Sequence, residues 1–121
     1  MRLEQFTNWI IIIGLTVISG YNDAKGFIHA SKIWNKKGIV WEEVVYSGLG
    51  FAIGILTYWL SIKFLKVAGV DSVELQTVFW FAVTIISVAV LSGQFISWRL
   101  TEQLISIGVL LGIGWLLFRI R

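Results

Sequence analysis

One carboxylate, that of Asp23, lies within the first apolar stretch of the chain, in the segment SGYNDAKGFIHASK at residues 19–32. A run of almost purely apolar residues, from Trp9 to Ile18, comes directly before it. Either the helix has left the membrane before Asp23, or the Asp23 carboxylate is held inside the membrane. A carboxylate held inside a membrane among hydroxyl and amide oxygens is suited to binding a cation, or to exchanging a proton for one.

The depth of Asp23 favours the second reading. In a helix that enters the hydrocarbon at Trp9, Asp23 lies about 21 Å along the axis. This is roughly 9 Å short of the far edge of a ~30 Å apolar core. A charge at such depth costs at least ~2–3 kcal/mol and is normally retained for a pathway or site. The alternative is a helix that breaks near Gly20, with Asn22 or Asp23 capping a short helix on the membrane surface.

The residues around Asp23 divide into two faces on a helical wheel. The face of Asp23 carries small and apolar residues, as expected where a helix meets other helices: Thr16, Ser19, Gly20, Phe27, Ala30 and Trp34. The nearly opposite face is basic and follows an i, i+4, i+7, i+11 spacing: Lys25, His29, Lys32 and Lys36. Lys25 therefore does not neutralise Asp23. We expect the basic stripe to bind the phosphates of anionic lipids at the membrane surface.

The elements that position these residues are four apolar stretches, at residues 6–28, 44–65, 75–98 and 103–119. Each is close to the roughly 20 residues that cross a bilayer. Hydrophobic residues make up 57% of the 121 and charged residues only 14%, against about 25% charged in soluble domains. The sequence predicts an all-α integral membrane protein, a single domain over residues 1–121 with four transmembrane helices in a small bundle and short loops. The first stretch is expected to remain in the protein as a membrane helix and not to be removed as a signal peptide.

Several classes of function are disfavoured by residues that the chain lacks. There is no cysteine and His29 is the sole histidine, so we expect no metal site and no cofactor. No nucleophile–base pair or phosphate-binding glycine loop is present, and an enzyme is not expected. The net charge of +3 is scattered over loops and ends. That charge suits membrane lipids as partners, and no nucleic acid is expected.

Polar residues of the other stretches are expected at the same end of the bundle as Asp23. The candidate ion- or substrate-binding site consists of five residues: Asp23, Asn22, Gln94, Ser47 and Glu102. Together they would line a polar vestibule on the side of the first and third loops. The alternative is an ordinary interfacial rim, in which Arg99 and Glu102 pair in water at i, i+3.

Small residues at helical spacing form two further patterns, in the second and fourth stretches. The candidates for helix packing or an oligomer interface are Gly50, Gly54, Thr57, Gly108 and Gly112. Lipid tails give no hydrophobic reward for helix association, so small residues favour it by allowing close backbone approach. These patterns predict packing within the chain or, in the sharper version, the seam of a homodimer.

Basic residues are balanced across the predicted membrane. Arg2, Lys63, Lys66, Arg119 and Arg121 fall on one side, and Lys25, Lys32, Lys36, Lys37 and Arg99 on the other. Because excess Lys and Arg normally mark the cytoplasmic side, this balance gives no orientation. One alternative is that the chain has a dual topology and pairs with its inverted copy. The other is that a partner subunit or one dominant loop fixes its orientation in the membrane.

In size, number of spans and balanced loop charge, the chain resembles the small multidrug-resistance exporters and the small fluoride channels. The resemblance is architectural and transfers no residues. Exporters of that class carry an acid midway along the first span, whereas residues 9–20 contain none here.

The leading hypothesis is a homo-oligomeric transporter or channel for a cation or small solute, multi-pass in a bacterial-type plasma (inner) membrane. The alternative is a non-catalytic subunit or assembly factor of a larger membrane complex. A lipid-binding or membrane-shaping role for the basic stripe is a third hypothesis.

Overall fold

Four α-helices account for most of the chain in the computed structural model, which is 84% helical. It describes residues 2–120, and the side chains of all of these except residues 117, 118 and 120. The helices are α1 (Leu3–Ala30), α2 (Trp41–Val67), α3 (Val73–Ser92) and α4 (Leu100–Ile120). A two-stranded antiparallel hairpin, β1 (Trp34–Asn35) and β2 (Gly38–Ile39), joins α1 to α2. A 3-10 helix (Gln94–Ser97) joins α3 to α4.

Three helices in the described part of the chain, α1, α2 and α3, are long and apolar enough to cross a membrane. Among the described residues of α4, the segment Leu100–Leu116 is also apolar. The predicted helical fold is therefore confirmed, and its long apolar helices are compatible with a membrane-embedded protein.

Helix α1 runs without interruption through Gly20 and Asp23. It ends at Ala30, where the Ser31 N–H donates to the Phe27 carbonyl at 3.0 Å. The predicted alternative, a break near Gly20 with a cap at Asp23, is not what the structure has. The end at Ala30 also shortens the basic stripe, because Lys32 and Lys36 lie in the connection to α2 and not on the helix.

Helix α1 is the centre of the molecule, since both α2 and α3 pack mainly against it. The contact with α2 is antiparallel and close. A Cβ at Gly50 would lie 2.7 Å from the Asn22 carbonyl oxygen and 2.8 Å from the Gly26 nitrogen. Glycine is required there because the two backbones meet. The small-residue series of α2 therefore packs within the chain, against α1.

Helix α3 ends earlier than the apolar stretch 75–98 predicts. Gly93 has a φ of +69°, in the left-handed region, and forms the C-cap after Ser92. Glycine is favoured at this position because a residue with a Cβ would be strained in the left-handed conformation. Gln94 therefore belongs to the 3-10 helix, and Trp98 follows in extended backbone.

Helix α4 stands apart from the other three. Its main contact is with α3, and most of its described side chains are exposed. The small apolar core lies elsewhere, at the N-terminal end of α1, and consists of Ile12, Leu65, Val70 and Leu75. The molecule is thus a packed group of three helices with a loosely attached fourth.

Candidate functional site

Asp23 lies inside the helix group, in the contact between α1 and α2. Only 1% of its surface is exposed. A Cβ built on Gly54 would lie 2.6 Å from Asp23 Cγ and would overlap the carboxylate. The carboxylate therefore occupies the space that any other side chain at position 54 would fill.

Both carboxylate oxygens of Asp23 lack a hydrogen-bond partner within the described chain. The Ser19 hydroxyl and the Trp80 indole lie close enough to the carboxyl group to interact with it, while the hydrogen bonds of these two groups that have good distances and angles go to other acceptors. Ser19 Oγ donates to the Gly54 carbonyl at 2.7 Å, and Trp80 Nε1 donates to Ser19 Oγ at 3.1 Å. This relay joins α3, α1 and α2 next to a carboxylate that it leaves unsatisfied.

A second buried polar group without a partner in the described chain lies on α3. Thr84 is 3% exposed, and its Oγ1 has no hydrogen bond. Helices α1 and α3 run parallel, and Thr84 follows Trp80 by one helical turn as Asp23 follows Ser19. Thr84 and Asp23 therefore lie at about the same level of the helix group.

The chemistry of this arrangement follows from the cost of burying a charge. An unpaired carboxylate away from water costs several kcal/mol in real proteins, so it requires a positive counterpart. Within the described residues, no lysine or arginine is hydrogen-bonded to Asp23. A proton or a small cation supplies what is missing, and the carboxylate and hydroxyl oxygens are the ligand types that hard cations prefer.

Asn22 and Ser47, which were predicted to share the site, both donate hydrogen bonds to backbone carbonyls of α1. Asn22 Nδ2 donates to the Ile18 carbonyl of its own helix at 2.8 Å. Ser47 is buried and donates to the Gly26 carbonyl at 2.8 Å, which fastens α2 to α1. Ser47 therefore serves the same helix contact as Asp23, toward the hairpin end.

Gln94 and Glu102 are placed away from the buried carboxylate. Gln94 is exposed in the 3-10 helix because α3 has already ended. Glu102 is exposed at the start of α4, beside Ser97 and Arg99. The five predicted residues are not gathered in one vestibule. The structure instead surrounds Asp23 with Ser19, Gly54 and Trp80.

The basic residues likewise separate. Lys25 is exposed, with its Nζ 5.6 Å from the centre of the Tyr21 ring. His29 Nδ1 lies 2.5 Å from Glu43 Oε2 and joins the end of α1 to the start of α2. Lys32 and Lys36 are exposed in the connection that follows.

The predicted packing residues fall into two groups. Thr57 donates to the carbonyls of Ile53 and Gly54 at 2.9 and 3.0 Å, so it supports the helix turn that faces Asp23. Gly108 and Gly112 have nothing within 4 Å of a built Cβ in the described structure. No described residue of the chain covers the glycine face of α4.

Sequence reasoning missed the role of Trp80. Buried tryptophans need an acceptor for the indole N–H, and Ser19 is on the face of α1 already assigned to helix contacts. The need of the indole N–H for an acceptor could therefore have pointed to a contact between Trp80 and Ser19. The position of Thr84 carried no comparable signal, because threonine commonly bonds its own i−4 carbonyl.

Comparison of the chain with models of known protein families, with curated proteins and with solved structures finds no match.

Proposed function

We propose that this protein is a small multi-pass membrane transporter or channel for a cation, a proton included, and that Asp23 is its ion-binding residue. The observation that carries the proposal is the fully buried carboxylate with two unpartnered oxygens. Ionisable residues inside membrane helices are expensive and are retained mainly where ions or substrates pass.

The surroundings of Asp23 support binding over a purely structural role. A structural carboxylate lowers its cost by hydrogen bonds, and the nearest donors, Ser19 and Trp80, are engaged with other acceptors. Gly54 leaves space at the carboxylate where a larger residue would exclude it. The site is thus built around the carboxylate without satisfying it.

The setting of the transporter is also part of the proposal. The three long apolar helices and α4 span a bacterial-type plasma membrane, and the uncovered α4 suits a homo-oligomer. Balanced basic residues at the two ends allow dual topology. Association of inverted copies would give a symmetric path past two Asp23 residues.

Ligand-dependent stability tests the binding step. A ligand that binds only the folded state stabilises it by about 2.7 kcal/mol at 100 times its Kd. We expect a cation or acidification to raise the Tm of the purified protein in neutral detergent, and Asp23→Asn to remove that response while remaining folded. Glu4→Gln changes an exposed acid of the same helix and should keep the response. An equal response in Asp23→Asn would refute the assignment.

A second candidate function rests on the uncovered glycine face of α4. A helix with so little contact in its own chain is suited to packing against another membrane subunit, as in a non-catalytic subunit or assembly factor. This alternative predicts a chain that is unstable alone and that co-purifies with a partner through Gly108 and Gly112. A stable homo-oligomer without a partner would argue against it.

A further inference from the structure

A large cavity opens between α1, α3 and the 3-10 helix, on the hairpin side of the molecule. Its volume is about 860 Å³, within the range of roughly 300–1,000 Å³ of small-molecule sites. Phe27 and Ile28 of α1 form one wall, Phe81 and Val88 of α3 the other, and Trp98 lies at the rim. The walls are therefore apolar and partly aromatic.

Charge is confined to one end of this cavity. Lys32 is the one ionisable residue among the described residues that line it. It lies two residues beyond the end of α1, at the same end of the cavity as Ser92, the last residue of α3, and Gln94, which follows that helix. The connection from residue 31 to residue 40 contains three lysines and no acid. Glu43, a half-buried acid that follows this connection in α2, is paired with His29. The cavity thus has an apolar interior and a cationic mouth.

We propose that the cavity is a binding site for an anionic phospholipid, with one acyl chain between α1 and α3 and the phosphate at Lys32. The complementarity of one cation, an apolar interior and a mouth at the helix ends carries this assignment. It differs from a basic stripe along α1, because Lys32 alone of the stripe lines the cavity. It is also independent of cation binding at Asp23.

Native mass spectrometry of the purified protein tests the charge at the mouth. Phosphatidylglycerol and phosphatidylcholine with identical acyl chains are titrated in neutral detergent. One lysine near lipid phosphate is worth about fivefold in affinity, so the wild type should prefer phosphatidylglycerol by about that factor. Lys32→Gln should abolish the preference. Lys36→Gln, exposed in the same connection and outside the cavity, should retain it. Equal effects of the two variants, or no effect of Lys32→Gln, would overturn the proposal.

Filling the cavity tests the position of the acyl chain. Ala89 lines the wall of α3, so Ala89→Phe should weaken binding of both lipids by about fivefold or more. Ala52→Phe, on an exposed part of α2, is the matched control and should bind as the wild type does. Undiminished binding by a folded Ala89→Phe protein would overturn the site. So would a lipid-free dimer that Ala89→Phe dissociates, because a second copy would then be the occupant. If Ala89→Phe does not fold, the lysine pair decides.

Discussion

The carboxylate of Asp23 rests on the bare α-carbon of Gly54, with Asp23 Cγ 2.6 Å from the point where a Cβ would stand. One contact therefore joins helix packing to the candidate ion site. The close approach of α1 and α2 encloses the carboxylate, and glycine at position 54 makes room for it. Changes on either side of this contact should affect both stability and ion binding.

Gly54→Ala should destabilise the protein, because the new methyl group overlaps the Asp23 carboxylate. Overpacking of this kind costs about 1–3 kcal/mol. Thermal unfolding in detergent measures the loss. Gly48→Ala is the matched control in the same helix, since nothing lies within 4 Å of its Cβ; its stability should be unchanged or higher by up to about 1 kcal/mol. Equal behaviour of the two variants would show that the contact does not exist as described.

Ser19→Ala should break the relay from Trp80 to Gly54. The Trp80 N–H then loses its acceptor, and the Gly54 carbonyl loses one of its donors. An unsatisfied buried group costs about 1–3 kcal/mol. We expect a lower free energy of unfolding and a change in tryptophan fluorescence. Ser31→Ala removes an exposed hydroxyl that bonds within its own turn and should alter neither. A Ser19→Ala protein as stable as the control would contradict the relay.

Glu43→Gln should loosen the connection between α1 and α2 by weakening the contact with His29, 2.5 Å long in the wild type. The pair is partly exposed, so the loss should stay below about 1 kcal/mol. Hydrogen exchange of the hairpin amides should quicken by no more than about fivefold. Glu42→Gln, at an exposed position next to it, should leave exchange unchanged. Faster exchange in both variants would mean that the pair has no particular role.

Gly112→Leu should weaken self-association if α4 is the seam of a homo-oligomer. Gly112 and Gly114 are both open in the single chain, so leucine at either should not disturb the fold. They point about 200° apart on the helix, and Gly114→Leu should therefore leave association intact. Analytical ultracentrifugation in density-matched detergent compares them. Equal association of the two variants would place the seam elsewhere.

Much of the helical architecture could be predicted from local pattern. Apolar length predicted helices, and the face of α1 that carries Asp23 was predicted in part. Thr16, Ser19 and Gly20 are buried with Asp23, whereas Phe27 and Trp34, assigned to the same face, are exposed. The extent of α3 was overestimated because residues 94–98 are as apolar as a helix end, while the decisive feature is the left-handed φ of Gly93. Hydropathy does not report backbone dihedrals.

The residues that surround Asp23 were harder to predict from the sequence. A shared end of the bundle suggested that Gln94 and Glu102 would meet Asp23, but the group at Asp23 is set by which faces meet. Gly54 and Trp80 reach Asp23 from different helices, and their meeting depends on helix rotation and depth. A single sequence fixes the face of one helix far better than the register between two.

Ion flux in proteoliposomes tests the central claim most directly. Wild-type protein, Asp23→Asn and Glu4→Gln are reconstituted at equal density, and flux of protons and of Na⁺ and K⁺ is followed with internal fluorescent indicators after an imposed gradient. The account predicts flux of at least one of these ions through wild-type and Glu4→Gln protein, and a rate for folded Asp23→Asn no higher than that of protein-free liposomes. Wild-type rates in Asp23→Asn, or no flux of any of these ions through the wild type, would contradict it.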